Sequence, residues 1–127
     1  MHVVRVSVTL VEVPQIAPIA PYRSRYRSSS TTHSAIVRVD TDVGLTGWGE
    51  FNTNFLADLD PLQMEQDANA WSRSRDPGNL ARLHAECPFE SRLKSGLELA
   101  FWDLKGQSLG VSVAELLGGR LRTEIEL

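Results

Sequence analysis

Residues 2–13 alternate roughly between apolar and polar side chains and are rich in β-branched residues. The rough alternation through Val4, Ser7/Thr9, Val11 and Val13 predicts a strand with one buried face that ends at Pro14. Residues 14–31 carry three prolines, a run of serine and threonine, and no hydrophobic period. They predict a long loop, and long loops in compact domains tend to be functional.

Two further alternating segments, residues 32–40 and 45–51, flank a short turn at residues 41–44. This arrangement predicts a β-hairpin. Gly47 and Gly49 weaken the returning strand, which predicts either a bulge or a close approach of another backbone.

Helical periodicity dominates the remainder of the chain. Asp60 and Pro61 are typical of a helix N-cap and a first helical position, and they predict a helix that runs toward Arg75. Apolar spacing and caps predict further helices at residues 80–86, 88–109 and 113–117. Residues 123–127 alternate like the start of another strand.

The composition fits one globular domain, since 42% of the 127 residues are hydrophobic and 23% are charged. A net charge of −3 argues against general binding to nucleic acid or to an anionic membrane. No apolar run approaches the ~20 residues that a membrane span needs, and no basic and apolar leader follows Met1. We therefore expect a cytoplasmic protein that does not bind membranes.

The charges are nevertheless separated along the chain. Residues 40–67 hold seven acids and no lysine or arginine. Between Val13 and Val39, in contrast, the only charged side chains are those of Arg23, Arg25, Arg27 and Arg38. The predicted loop is therefore a locally basic segment of an acidic protein.

Three segments together resemble one family. The hairpin at residues 36–50 is similar to the second and third strands of the N-terminal capping domain of the enolase superfamily, in its mandelate racemase and muconate-lactonizing enzyme branch. Residues 97–106 resemble the helix that packs this domain onto the barrel, and residues 109–119 resemble the segment that leads into the barrel.

The resemblance implies an α+β fold, in which a three-stranded antiparallel meander is followed by a small helical bundle. Residues 1–120 would form the capping domain. Residues 121–127 would begin the linking strand into a (β/α) barrel that is absent from this sequence.

In that family the barrel carries three acidic magnesium ligands and Lys or His bases, which remove the proton α to a substrate carboxylate. The resemblance implies a capping, substrate-specificity domain of a racemase, epimerase, cycloisomerase or dehydratase. We expect Mg²⁺ in the complete enzyme, and neither a catalytic residue nor a metal in this chain, which alone would be inactive. We expect the enzyme to be a homo-oligomer that takes a small carboxylate through the barrel.

The resemblance also implies two substrate-binding segments. The first specificity loop would hold side chains that can grip a carboxylate or cover its apolar part, namely Tyr22, Arg23, Arg25, Tyr26 and Arg27. The second would hold Phe51, Asn52, Thr53, Asn54 and Phe55. Two alternatives stay open: the arginine loop contacts substrate or is merely solvated, and the two phenylalanines build the lid or pack under the next helix.

Structural roles are expected for the other polar residues that could suggest chemistry. Glu50 is expected to be structural, and Asp103 to accept a hydrogen bond or to contact the barrel. The three histidines, His2, His33 and His84, lack the spacing of metal ligands. Cys87 is expected at the N-terminus of the helix after Pro88, without a histidine to activate it.

Two other functions are considered. Arginine alternates with tyrosine in residues 22–27, as in segments that bind nucleic acid, but three arginines on a domain of net charge −3 would bind weakly. A self-associating interaction module is the second alternative. On this hypothesis Leu97, Phe101 and Leu104 would be uncovered without the barrel and would favour self-association.

Overall fold

An antiparallel sheet covered by helices forms the part of the chain that the structure, a computed structural model, describes: residues 1–25, 28–53 and 59–126. The strands are β1 (Val3–Pro14), β2 (Tyr22–Arg23), β3 (Ser28–Ser29), β4 (Thr31–Thr41) and β5 (Thr46–Asn52). The helices are α1 (Pro61–Ser72), α2 (Leu80–Glu86), α3 (Ser91–Leu109) and α4 (Val113–Leu116).

The main sheet has the order β1-β4-β5, with both pairs antiparallel, and β2 and β3 form a separate two-stranded ladder. The predicted three-stranded meander followed by helices is therefore confirmed. The segment predicted as a long loop differs in one respect, because it contains the short β2–β3 ladder between the ends of β1 and β4.

The burial of one face that was predicted for β1 is limited to its first half. Val6 and Val8 are buried, whereas Val4 and Val13 are exposed. Valines stand on both faces of this strand, so alternation alone does not say which face is covered. The pairing register also shifts between Val3 and Arg5, which brings Val3 onto the buried face.

Helix α3 lies so close to the sheet that glycine is required at the contact. A Cβ atom on Gly49 would lie 1.9 Å from the carbonyl oxygen of Gly96, and one on Gly47 would lie 2.3 Å from that of Ala100. A Cβ atom on Gly96 would lie 2.7 Å from Val37 Cγ2. The two glycines of β5 therefore mark the close approach of another backbone, one of the two outcomes that the sequence predicted.

The helix ends follow their capping residues. The Asp60 carboxylate accepts hydrogen bonds from the backbone N–H groups of Leu62 and Gln63, as predicted for an N-cap. Helix α1 ends at Ser72 rather than near Arg75, and α3 begins at Ser91 rather than at Pro88. The late start of α3 makes Cys87 the C-terminal cap of α2 and not an N-terminal residue of α3.

The C-terminal residues 123–126 form no strand, although their alternation predicted one. A strand exists only where a neighbouring strand receives its backbone hydrogen bonds. No described strand of this chain pairs with residues 123–126.

Candidate functional site

One end of the sheet brings together the two segments that were predicted to bind substrate. Pro14, at the end of β1, pairs with Thr31, at the start of β4. Asn52, at the end of β5, pairs with Ser34. The Thr53 N–H then donates to the carbonyl oxygen of His33 at 2.9 Å. Residues 15–30 and the residues after Asn52 therefore leave the sheet at the same end.

The first segment presents its predicted side chains to solvent. Tyr22 pairs with Ser29, and Arg23 with Ser28, in the β2–β3 ladder. Tyr22 is 58% exposed, and Arg23 and Arg25 are also exposed. Tyr26 and Arg27 lie outside the described residues. The structure thus places three of the five predicted side chains at the end of the sheet, where a ligand can reach them.

The segment that leaves β1 at this end of the sheet is positively charged. No Asp or Glu occurs between Val13 and Val39, and Arg23 forms no ion pair with any described residue. A guanidinium group without an acidic partner has its donors available for a carboxylate, to which it can bind through two parallel hydrogen bonds. The neighbouring phenol ring of Tyr22 can cover an apolar part of the same ligand.

The second segment divides into core and surface. Phe51 is only 5% exposed, and its ring contacts the sheet–helix interface at Gly96, so it packs under a helix, although under α3 rather than α1. Asn52 is exposed, Thr53 is buried, and Asn54 and Phe55 lie outside the described residues. Of this segment, the structure therefore leaves Asn52 as the accessible described candidate.

Arg92 is a residue that the sequence analysis missed. Its Nη1 atom donates to the backbone carbonyl of Asn52 at 3.0 Å and thereby ties the end of β5 to the first turn of α3. No local pattern signals this contact, because it joins residues 40 positions apart.

Several acids away from this end have structural partners. Asp103 Oδ2 accepts a hydrogen bond from the backbone N–H of Trp48 at 3.0 Å, which confirms the predicted acceptor role. His2 contacts Asp42 at 3.0 Å, and His84 contacts Glu98 at 3.4 Å. Within residues 1–25, 28–53 and 59–126, no three His, Cys, Asp or Glu side chains converge as a metal site would require.

An apolar groove of about 800 Å³ runs between β5, α3 and α4. Trp48 is 53% exposed and Leu99 is 49% exposed. The apolar residues that line the groove are Ile36, Trp48, Leu99, Trp102, Val113 and Leu117, and the acids are Glu50, Glu98 and Asp103. Exposed aromatic and aliphatic side chains in one groove are typical of a surface that another protein segment covers.

The uncovered face of α3 was predicted on the wrong residues. Leu97, Phe101 and Leu104 are fully buried, and they belong to the core of this chain itself. Helical spacing identified the apolar stripe correctly, but it did not reveal that the sheet of the same chain covers it. Leu99 and Trp102, on another side of α3, line the open groove instead.

A three-stranded antiparallel meander followed by helices is the architecture of an enolase-type N-terminal domain. The family model for the mandelate racemase / muconate lactonizing enzyme N-terminal domain matches residues 5–118. This chain belongs to that family.

Individual relatives agree with this assignment. The chain is 29% identical over 128 residues to the D-gluconate dehydratase of Thermoproteus tenax, with 93% of this chain and 26% of the relative covered. It superposes on a mandelate racemase/muconate lactonizing enzyme from Roseovarius nubinhibens with a TM-score of 0.79, at 25% identity, over 94% of this chain and 35% of that one.

A second structural relative is a dipeptide epimerase from Methylococcus capsulatus, solved with Mg and the dipeptide L-Arg-D-Lys. The TM-score is 0.76 at 27% identity, and the match covers 93% of this chain and 35% of the epimerase. The chain thus spans about a quarter of the dehydratase and about a third of the two solved relatives. No helix in the described part of the chain is both long and apolar enough to cross a membrane.

Proposed function

We propose that this chain is the capping domain that determines substrate specificity in an enzyme acting on a small carboxylate. The observation that carries the proposal is the match to the family over residues 5–118, combined with the exposed, positively charged segment at one end of the sheet. In this proposal, the segment faces the mouth of a barrel that follows residue 120, and residues 121–127 link the two domains.

The part played by this chain is to bind and to enclose the substrate. Arg23 and Arg25 hold the substrate carboxylate or a second charged group, because guanidinium groups match the planar geometry of an oxyanion. Tyr22 excludes water from the apolar part, and Asn52 supplies polar contacts from the second segment. Such enclosure orients the substrate and strengthens the electrostatic interactions around it.

Proton abstraction belongs to the barrel in this proposal. Enzymes of the enolase superfamily use a Lys or His base, with Mg²⁺ stabilising the ene-diolate. The described residues bring together no set of ligands that fits Mg²⁺, so we assign the metal to the barrel and none of the chemical steps to this chain. Removal of the proton α to a carboxylate is a first step that dehydration, cycloisomerisation and epimerisation can share, and the names of the relatives include a dehydratase and an epimerase.

The groove between β5, α3 and α4 is the surface that we assign to the contact with the barrel. It lies beside α4, the last helix before the linking residues, so a following domain would begin at its edge. We further propose that the complete enzyme is a cytoplasmic homo-oligomer.

The test is proton abstraction by the full-length enzyme. It would be incubated in D₂O with Mg²⁺ and a panel of aldonic acids, starting with D-gluconate, aldaric acids and dipeptides. Loss of the α-proton resonance by ¹H NMR with at least one of these acids supports the proposal. Retention of that resonance with every acid, in a folded and magnesium-loaded enzyme, contradicts it.

The exposed groove also supports a second candidate function, that of a self-associating module. Trp48 and Leu99 would be covered by another copy of the chain instead of by a barrel. Sedimentation of this 127-residue chain at rising concentration distinguishes the two functions. A stable dimer that Leu99→Lys dissociates favours the module, whereas a monomer favours the capping domain.

A further inference from the structure

Gln15 occupies the branch point from which the basic segment leaves the sheet. It follows the last residue of β1, and its backbone N–H donates to the carbonyl of Ser30 at 2.8 Å. Its side chain reaches two further segments. Nε2 donates to Thr32 Oγ1 at 3.2 Å on β4, and Oε1 accepts from the Tyr22 N–H at 3.4 Å on β2. One partly buried side chain therefore connects β1, β4 and β2.

Hydrophobic packing contributes little to the position of this segment. Ile16 is 77% exposed, Ile19 is 64% exposed and Tyr22 is 58% exposed. None of the described residues 15–25 and 28–30 belongs to the hydrophobic core. Because the described residues of the segment are not anchored by burial, their position depends on polar contacts, among them those of Gln15.

Other hydrogen bonds of the described part of this segment are local. The N–H groups of Ile19 and Ala20 both donate to the carbonyl of Ile16, and the Ser29 hydroxyl donates to the carbonyl of Thr31. These contacts shape the turn and the start of β4, but they do not connect β2 to β1. The side chain of Gln15 makes that connection next to Arg23.

We propose that Gln15 is a positioning residue for substrate specificity, which holds Tyr22 and Arg23 where they meet the substrate. This inference rests on the proposed function, because it assigns a role within the same substrate-binding end. An amide side chain suits the position, since it donates to one partner and accepts from the other. Glutamate keeps the acceptor for Tyr22, and the Thr32 hydroxyl can donate to it, whereas alanine loses both contacts.

The first experiment needs no substrate and uses this chain. Trypsin cleavage after Arg23 and Arg25 is followed by mass spectrometry in the wild type and in Gln15→Ala, Gln15→Glu and Gln107→Ala. Gln107 is the matched control, because its Nε2 donates to the Thr46 carbonyl at the opposite end of β5. We expect cleavage to be about fivefold faster in Gln15→Ala, as for the loss of one net hydrogen bond, and near wild type in the other two.

The second experiment measures kcat and KM of the full-length enzyme with whichever acid of the panel it turns over fastest. We expect Gln15→Ala to raise KM about fivefold with little change in kcat or in melting temperature; Gln15→Glu is not used here, because its negative charge beside Arg23 would itself change KM for an anionic substrate. A general structural defect would instead lower the melting temperature and would affect Gln107→Ala similarly.

Unchanged cleavage in Gln15→Ala overturns the proposal. Faster cleavage with unchanged KM overturns the assignment to specificity. If no acid is turned over, the proposed function fails, and the cleavage experiment still decides whether Gln15 holds the segment in place.

Discussion

The carboxylate of Asp103 and the backbone N–H of Trp48 form a hydrogen bond of 3.0 Å that joins α3 to the outer edge of β5. On the same edge, Gln107 donates to the carbonyl of Thr46 and Arg92 to that of Asn52. Side chains of α3 thus bind backbone groups that a neighbouring strand would otherwise bind. This use of a helix protects an edge strand from pairing with another chain.

Loss of the Asp103 carboxylate is expected to weaken this edge. Asp103→Ala removes the acceptor of the Trp48 N–H and should lower the free energy of unfolding by about 1 kcal/mol. Asp103→Asn retains an acceptor oxygen and should lose less. Urea denaturation measures both, and Glu50→Ala on the same edge strand serves as the control. Equal stability of Asp103→Ala and the wild type would contradict the assigned role.

Gly49 is expected to tolerate no side chain. A methyl group there would overlap the Gly96 carbonyl, so Gly49→Ala must separate α3 from the sheet, at a cost of about 1–3 kcal/mol or more. In Gly78→Ala, the new Cβ would meet only the side chain of Asp76, at 3.2 Å, and the change should be small. Thermal unfolding of the two variants compares the sites directly. A similar melting temperature for both would contradict the close approach.

Two leucines on α3 provide a matched pair for the core and the groove. Leu97→Ala should lower the free energy of unfolding by about 2–5 kcal/mol, because it leaves a cavity between α3 and the sheet. Leu99→Ala should change it by less than ~0.5 kcal/mol, because Leu99 is half exposed in this chain. Denaturant titration of both variants measures the difference. A larger loss of stability in Leu99→Ala than in Leu97→Ala would mean that the opposite side of α3 is buried.

Asp42 is expected to make stability depend on acidic pH. A hydrogen bond from the backbone N–H of His2, assisted by the His2 ring, lowers the pKa of Asp42 below its ordinary value of 3.8. The pKa of Asp42 is lower in the folded state than in the unfolded state. The stabilisation by the ionised carboxylate is therefore present above pH 3.8 and is lost as the pH falls through the folded-state pKa.

The variant Asp42→Asn keeps an acceptor for the His2 N–H but does not titrate. Its stability should therefore fall less steeply than that of the wild type as the pH is lowered from about 5 to 3. Glu124→Gln, in the exposed C-terminal segment, controls for the loss of one negative charge. Denaturation midpoints across this pH range measure the slopes, and identical slopes for Asp42→Asn and the wild type would exclude the linkage.

Arg23 is expected to affect catalysis in the complete enzyme, provided that it meets a carboxylate. Arg23→Ala should then reduce kcat/KM by about thirtyfold or more, equivalent to about 2 kcal/mol, whereas a solvated ion pair is worth less than ~1 kcal/mol. Arg73→Ala, at the far end of α1, is the control arginine. Steady-state kinetics of both variants is measured with the acid that the enzyme turns over fastest. Wild-type kcat/KM for Arg23→Ala would show that Arg23 does not bind the substrate.

The sequence by itself determined the three strands of the main sheet, the turn, most helix ends and the basic character of the segment after Pro14. These features depend on local properties: side-chain alternation, the N-cap of Asp60, the capping box of Ser112, and the absence of acids among residues 14–31. The glycines of β5 also predicted a close contact, because only glycine lacks the Cβ atom that would prevent it.

Only the tertiary structure decided which faces are covered and which segments meet. Valines lie on both faces of β1, so its sequence does not determine which face is buried. In the folded chain Val6 and Val8 are buried. The stripe of Leu97, Phe101 and Leu104 is apolar whatever covers it, and the sheet of the same chain does so. The contacts of Gln15 with Thr32 and Tyr22 likewise join segments that no local pattern relates, because they depend on strand register and on the path of the chain between strands.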